Sequence, residues 1–449
     1  MPYCLPSDLD VFYMIIDQIF NKINSSKRHP YFYLSPHVYG FGNCSQDLRY
    51  GLIRTKHTKK KLVILYPFNI PFIFKYKLTN RALFNIKSDL IFDQGKYLIL
   101  LSRALMTIIY MPLRVVGILL RKFSRFNLND SYHFPTIGIR DVYVPEKSIN
   151  EFSFKPIQKY TRGETYNEKI DFTINLNGNV HDGYEHQKLG IPKNSWFVCL
   201  HVRDSGFKDD ADRRKHRNPN ISTYIPAIKE ITSRGGWVVR MGDNTMKPLP
   251  IIENVIDYPF TKHKNEFMDL CLIQNCRFFI GGQSGLQYFA TLASKDVLHI
   301  NNYGWSYEPS PIRDRGIIQR IYSKKDKRFL SIKEMLSSVD LGKRSIHIKN
   351  IPSDDNYVLT ENSAEDISKA VLEYMDFLSN DDLPLTSKQK EFNDYRKRQG
   401  HRILSNQSNF VSFARTCNIA DEILVRYKVA TLLEEAQGSL CAGFLEDYW

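Results

Sequence analysis

Three stretches decide the fold: Trp196-Phe197-Val198-Cys199-Leu200-His201-Val202-Arg203-Asp204, Trp237-Val238-Val239-Arg240-Met241-Gly242-Asp243 and Arg277-Phe278-Phe279-Ile280-Gly281-Gly282-Gln283-Ser284-Gly285. Each is a short apolar run that delivers polar residues at its C-terminal end. Such runs predict strands of a parallel α/β sheet, in which ligands bind in the crevice beyond the carboxyl ends of the strands. Between the first two, Tyr224, Ile225, Ile228 and Ile231 recur at helical spacing, which fits a crossover connection.

The residues at these strand ends suit an anion. Gly281, Gly282 and Gly285 allow positive φ and a close approach of backbone to ligand. A helix starting near Leu286 would aim free N–H groups and its positive dipole end at that ligand. Gln283 belongs to the same turn, and Ser284 either caps the helix or donates to an oxyanion. Arg203 and Arg240 add permanent cations at neighbouring strand ends, and a guanidinium recognises phosphate through two parallel hydrogen bonds. Together they fit a pyrophosphate, without the lysine of a P-loop. Plainer readings stand beside these. Arg203 could pair with Asp204 or Asp243, and His201 reads equally as a catalytic group or a hydrogen-bonded core histidine.

From about 195 to 305 the chain resembles a bacterial glycosyltransferase family of surface-polysaccharide loci. The resemblance is carried by His201-Val202-Arg203-Asp204-Ser205-Gly206, Arg217-Asn218 with Tyr224 to Ile228, Gly235 to Asp243, Val255 to Tyr258, and Arg277 to Gly281 with Ser284-Gly285. More distantly it resembles the O-fucosyltransferase superfamily, where a His-x-Arg motif ends a strand of the donor domain. The resemblance implies a GT-B-like α/β fold, with two Rossmann-like domains facing a cleft, and a metal-independent reaction. It also implies contact between Arg203 and the β-phosphate of a sugar nucleotide.

With 449 residues, two domains are expected. We place an N-terminal Rossmann-like acceptor domain over 1–185, a nucleotide-sugar donor domain over 186–380 and a helical extension over 381–449. The extension reads as wholly helical. A net charge of +14 favours anionic partners: nucleotide sugars, acidic lipid surfaces or nucleic acid. The basic residues are not interleaved with aromatics in an RNA-binding pattern, so nucleic acid is not expected. Seven scattered cysteines without a C-x-x-C pair point to reduced thiols and a cytoplasmic setting, and no Cys/His cluster has metal-ligand spacing. The first residues, Met1 to Pro6, lack the basic start of a signal peptide.

In the first domain, residues 31–37 read as a strand followed by Gly40-Phe41-Gly42-Asn43. A glycine-rich turn recurs here in GT-B enzymes, so the resemblance makes Gly42 and Asn43 candidate cleft-lining residues; they read equally as part of an ordinary strand-to-helix turn. The run 97–126 is long enough to span a bilayer, but Arg103 and Arg114 interrupt it and Pro112 would kink it. A mid-membrane arginine costs roughly 2.5–3.5 kcal/mol, so an interfacial helix on an anionic leaflet, or buried helices, is the expectation. In the second domain, Arg217 follows His-x-Arg in a basic loop that could close over the donor. Trp305 and Glu308 sit in an aromatic loop at the place where, as the GT-B resemblance implies, a loop holds the donor's base or sugar.

The expected activity is transfer of a sugar from a nucleotide-sugar donor to a surface glycan or lipid-linked acceptor. His201, Asp204 and Asp243 are candidates for the base. No cofactor and no metal are expected. The alternatives are another transferase on a related fold, such as a pyruvyl transferase, and a non-enzymatic basic protein that binds membrane or nucleic acid.

Overall fold

In a computed structural model of the chain the three apolar runs become neighbouring parallel strands. The structure describes residues 19–20, 22–38, 40–68, 79–123, 167–176, 179–180, 182–206, 217–302, 311–337, 356–380, 383–405 and 436–449. The chain divides into two units. One comprises Met1–Thr161 with Glu168–His181, the other Arg162–Asn167 with Asp182–Trp449.

The first unit holds a βαβ crossover. Strand β1 (Tyr31–Leu34) and β2 (Lys61–Ile64) pair in parallel and are joined by α1 (Phe41–Thr58). A Cβ on Gly51 would lie 2.8 Å from Leu34 Cδ2, so the glycine lets the helix close on the sheet. A parallel bridge between Leu62 and Ile91 continues this sheet. The short strands β3 (Ile86–Lys87), β4 (Thr173–Leu176) and β5 (Asn179–Val180) form a separate antiparallel sheet with β4 in the middle. Between them in sequence lies α2 (Gly95–Phe123), one helix that runs on past Pro112.

The second unit is built on seven strands: β6 (Phe197–His201), β7 (Trp237–Arg240), β8 (Val255–Asp257), β9 (Phe279–Gly281), β10 (Val297–Asn302), β11 (Arg315–Ile318) and β15 (Ser439–Leu440). Their order is β8-β7-β6-β9-β10-β11-β15, and every neighbouring pair is parallel. The chain starts in the middle at β6, builds outward through β7 and β8, then crosses back to β9 and continues the other way. Strand order therefore reverses between β6 and β9, the arrangement of a doubly wound sheet.

Both faces of this sheet are covered. Val198, Leu200, Phe278 and Ile280 form one core with α3 (Ile225–Ser233) and α7 (Ala364–Ser379). Helices α4 (Glu266–Asn275) and α5 (Gly285–Leu292) pack against each other, and α5 against β9 and β10. Caps mark where these helices begin. The Asn265 side chain accepts from the Phe267 and Met268 amides, and Ser363 with Asp366 closes a capping box on α7. Strands β12 (Arg320–Ser323), β13 (Arg328–Phe329) and β14 (Tyr357–Thr360) make a small antiparallel sheet beside α6 (Ile332–Ser337).

The C-terminal segment differs from the wholly helical expectation. Among its described residues two helices, α8 (Ser387–Ser405) and α9 (Ala442–Tyr448), flank β15, which pairs with β11 and completes the sheet. Two residues are too few to show a strand period, so the sequence concealed this strand. Side chains lock the segment in place. Gln389 Nε2 donates to the Leu440 carbonyl at 2.9 Å. The fully buried Arg396 donates to the Ala436 and Gly438 carbonyls. Glu373 of α7 accepts from the amides of Ala442 and Gly443 and so caps α9. Residues 406–435 of the extension lie outside the described residues. All five described cysteines are buried free thiols.

Candidate functional site

Where β6 and β9 run side by side, His201 stands opposite Gly281. The two backbones approach so closely that a Cβ on Gly281 would lie 2.8 Å from the His201 carbonyl oxygen. At Gly282 a Cβ would lie 2.9 Å from the carbonyl of Ile300. Neither residue, nor Gly285, is among the glycines with positive φ. Gly281 and Gly282 are thus required by close backbone approach, not by the left-handed conformation that the sequence suggested. Gly281→Ala should destabilise the protein by roughly 2–3 kcal/mol, because backbone rather than a flexible side chain must move. Denaturant unfolding measures this, and wild-type stability would contradict the fit.

Past β9 the turn Gly282-Gln283-Ser284 leads into α5. Ser284 Oγ accepts from the Gln287 amide at 3.3 Å, so the hydroxyl caps the helix. Arg217 Nη2 donates to the Gln283 carbonyl, which ties the loop before α3 to this turn. Arg203, Arg217, Tyr224, Gly282, Gln283 and Asn301 line one recess at the carboxyl ends of the strands. The structure thus brings together Arg203, Arg217 and the glycine turn. Gly42 and Asn43 lie in the other unit, within the first turn of α1. Trp305 and Glu308 lie outside the described residues.

Two lining residues were not singled out from the sequence. Asn301 has a φ of 55°, at an irregularity in the pairing of β10 with β11. Asparagine is among the few non-glycine residues that tolerate this region. Its side chain is fully engaged: Oδ1 accepts from the Asn362 amide at 2.6 Å, and Nδ2 donates to the Tyr224 hydroxyl at 3.0 Å. Asn362 Oδ1 returns a bond to the Asn301 amide at 3.0 Å. Burial raises the Tyr224 pKa, so the hydroxyl keeps its proton. The signal for Asn301 was present in the Asn301-Asn302 pair that ends an otherwise apolar run. Tyr224 was hidden because an aromatic on an amphipathic helix reads as core.

Arg240 is placed otherwise than expected. Its side chain is 2% exposed, and Nη1 donates to Asp257 Oδ1 at 2.9 Å and to the Lys247 carbonyl at 2.8 Å. Asp257 Oδ2 in turn accepts from the Leu249 amide at 2.7 Å. The cause is register: in the β7–β8 pair Arg240 stands opposite Asp257. The guanidinium is a buried tie across two strands, and Arg240 is not among the residues that line the recess.

Asp204 and Asp243 shape the loops they begin. Asp204 Oδ1 accepts from the Gly206 amide at 3.0 Å, and Asp243 Oδ1 from the Thr245 amide at 2.9 Å. These loops abut, since a Cβ on Gly206 would lie 2.5 Å from Thr245 Oγ1. Gly242, at φ 146°, is held where a side chain would also meet Met246.

His201 is buried, and its Nδ1 has no hydrogen-bond partner among the described residues. Its pKa is lowered from 6.5 to about 4, first by burial and then by the Arg240 charge, with Arg203 and Lys264 adding to this and Asp243 opposing it. The imidazole is therefore neutral near pH 7, and its conjugate acid is too strong for an effective base there. The shift also has a stability consequence. Between pH 6.5 and about 4 the unfolded chain binds a proton that the folded chain does not, so stability falls as pH drops through this window. In His201→Gln that part of the slope, roughly 2–3 kcal/mol over the window, should vanish. Unfolding of both proteins at several pH values checks it, and parallel curves would contradict the buried neutral state.

Among the described residues no group of three or more His, Cys, Asp or Glu is placed to hold a metal ion. No family model and no curated protein matches the chain. Among solved structures it is similar to the glycosyl transferase family 9 from Veillonella parvula. The TM-score is 0.34 at 8% identity, over 66% of this chain and 87% of that one. At that level no residue role passes from one chain to the other.

Proposed function

We propose that the second unit binds the diphosphate of a nucleotide sugar, and that the protein is a glycosyltransferase of GT-B type. One observation carries this reading. Two arginines of the connection from β6 to α3, Arg203 and Arg217, line the same recess as the glycine turn that opens α5, at the point where the order of a parallel sheet reverses. A doubly wound sheet collects ligands at that point. Guanidinium groups and a helix N-terminus there favour an anionic group such as a diphosphate over a neutral one.

In this reading the arginines and the turn hold the pyrophosphate and stabilise the charge that develops on the leaving nucleoside diphosphate. They are fixed before the reaction and need little reorganisation during it. The acceptor is a surface glycan or a lipid-linked sugar, and its hydroxyl attacks the anomeric carbon. Asp204 and Asp243 are exposed enough at the strand ends to serve as the base; neutral His201 is the weaker choice.

A thermal-shift screen of nucleoside diphosphates and nucleotide sugars, followed by a donor-hydrolysis assay with the best binder, tests the reading. Stabilisation by a nucleoside diphosphate, with slow release of it from its sugar conjugate, is the expected result. A protein that ignores every nucleotide, or that is stabilised by nucleoside monophosphates alone, contradicts it.

A further inference from the structure

Helix α2 turns its apolar side outward. From residue 97 to 111 every described side chain that is exposed is apolar: Tyr97, Leu98, Leu101, Leu105, Ile108 and Met111 mark the stripe, with Leu100 at its edge. Tyr97 is 90% exposed, and Leu101 and Ile108 are 66% and 67% exposed. The polar side chains point the other way. Arg103 lies over the rings of Tyr66 and Phe68, with its guanidinium carbon 4.9 and 4.3 Å from their centres. Thr107 is buried and its Oγ1 accepts from the Phe68 amide at 2.8 Å. A helix on a water-facing surface has the reverse polarity. The stripe covers about four turns, roughly 21 Å, and is far larger than a scatter of single exposed apolar residues.

What covers such a stripe follows from charge and length. The helix contains Lys96, Arg103, Arg114, Arg121 and Lys122 and no carboxylate between 95 and 123. Lys96, at the start of the stripe, is exposed. Two copies packed stripe to stripe would bring two wholly cationic helices together, whereas an anionic surface complements them. No described helix is long and apolar enough to cross a membrane, so the fitting geometry lies in the plane of the surface.

We propose that the outward stripe of α2 is a docking surface for an anionic lipid bilayer, with its apolar side chains entering the headgroup boundary and Lys96 at the phosphates. The surface lies in the first unit and stands whatever reaction the second unit performs.

Co-sedimentation of the full chain tests this, with vesicles of phosphatidylcholine alone and of phosphatidylcholine mixed with phosphatidylglycerol. The wild type should bind the mixed vesicles better, and added salt should weaken that binding. Leu101→Gln, Leu105→Gln and Ile108→Gln together should lower the partition coefficient roughly 100-fold at unchanged melting temperature. Lys96→Glu alone should lower binding to the mixed vesicles about fivefold or more and leave the weaker binding to neutral vesicles unchanged. Four results would overturn the proposal: no binding of the wild type, equal binding of the triple variant, a large loss of melting temperature in it, or conversion of a wild-type dimer into a monomer. The third means that the stripe is packed within the chain's own fold, and the fourth that a second copy covers it.

Discussion

Asp257→Ala should lower the unfolding free energy by roughly 3–5 kcal/mol, because it leaves the Arg240 guanidinium buried without its carboxylate. Arg240 keeps one bond, to the Lys247 carbonyl, but loses the charge that balances it, and the Leu249 amide loses its acceptor. Asp257→Asn retains an oxygen for one of those donors and should show a smaller loss. Nucleotide affinity of the folded fraction should change little in either variant. Calorimetric melting together with nucleoside diphosphate titration separates the two roles of Arg240. A stable Asp257→Ala protein would contradict the buried tie. A stable Arg240→Ala protein that has lost nucleotide binding would restore Arg240 as a phosphate ligand.

Arg203→Ala should behave in the opposite way. Arg203 is half-buried and lines the recess. A charge-assisted bond to phosphate contributes roughly 1.5–3 kcal/mol, so affinity for a nucleoside diphosphate should fall by about one to two orders of magnitude. Arg203→Lys should recover only part of this, since an ammonium cannot form two parallel bonds. The melting temperature should change far less than in Asp257→Ala. If instead Arg203→Ala melts early and its folded fraction binds nucleotide normally, Arg203 is a structural residue and the proposed site loses its principal cation.

Comparing these two arginines shows what the sequence can and cannot reveal. Both end an apolar run and are followed within three residues by an aspartate. The runs themselves were readable as buried parallel strands, because four or five apolar residues that end in polar ones have few other uses. The role of each arginine depends on what stands on the next strand. Asp257, the partner of Arg240, is 17 residues away and is placed by the pairing of β7 with β8. The sheet order was hidden for the same reason. The return from β8 to β9 is a tertiary event, and β15 is two residues long.

The glycines teach a related lesson. Gly281 and Gly282 owe their place to the close approach of the chain to the carbonyls of His201 and Ile300 rather than to positive φ. Positive φ falls instead on Asn301, which a sequence reader takes for the end of a strand. In α2 the apolar content was evident from the sequence, while its outward direction follows only from Arg103 and Thr107 facing the protein.

We propose the reversal point between β6 and β9 as the diphosphate site. A crystal structure of the chain with the nucleoside diphosphate that stabilises it most tests this directly. Pyrophosphate oxygens are expected about 3 Å from the Arg203 guanidinium and from the backbone amides of the 282–286 turn. A diphosphate bound elsewhere at saturating concentration, with this recess unoccupied, would contradict it.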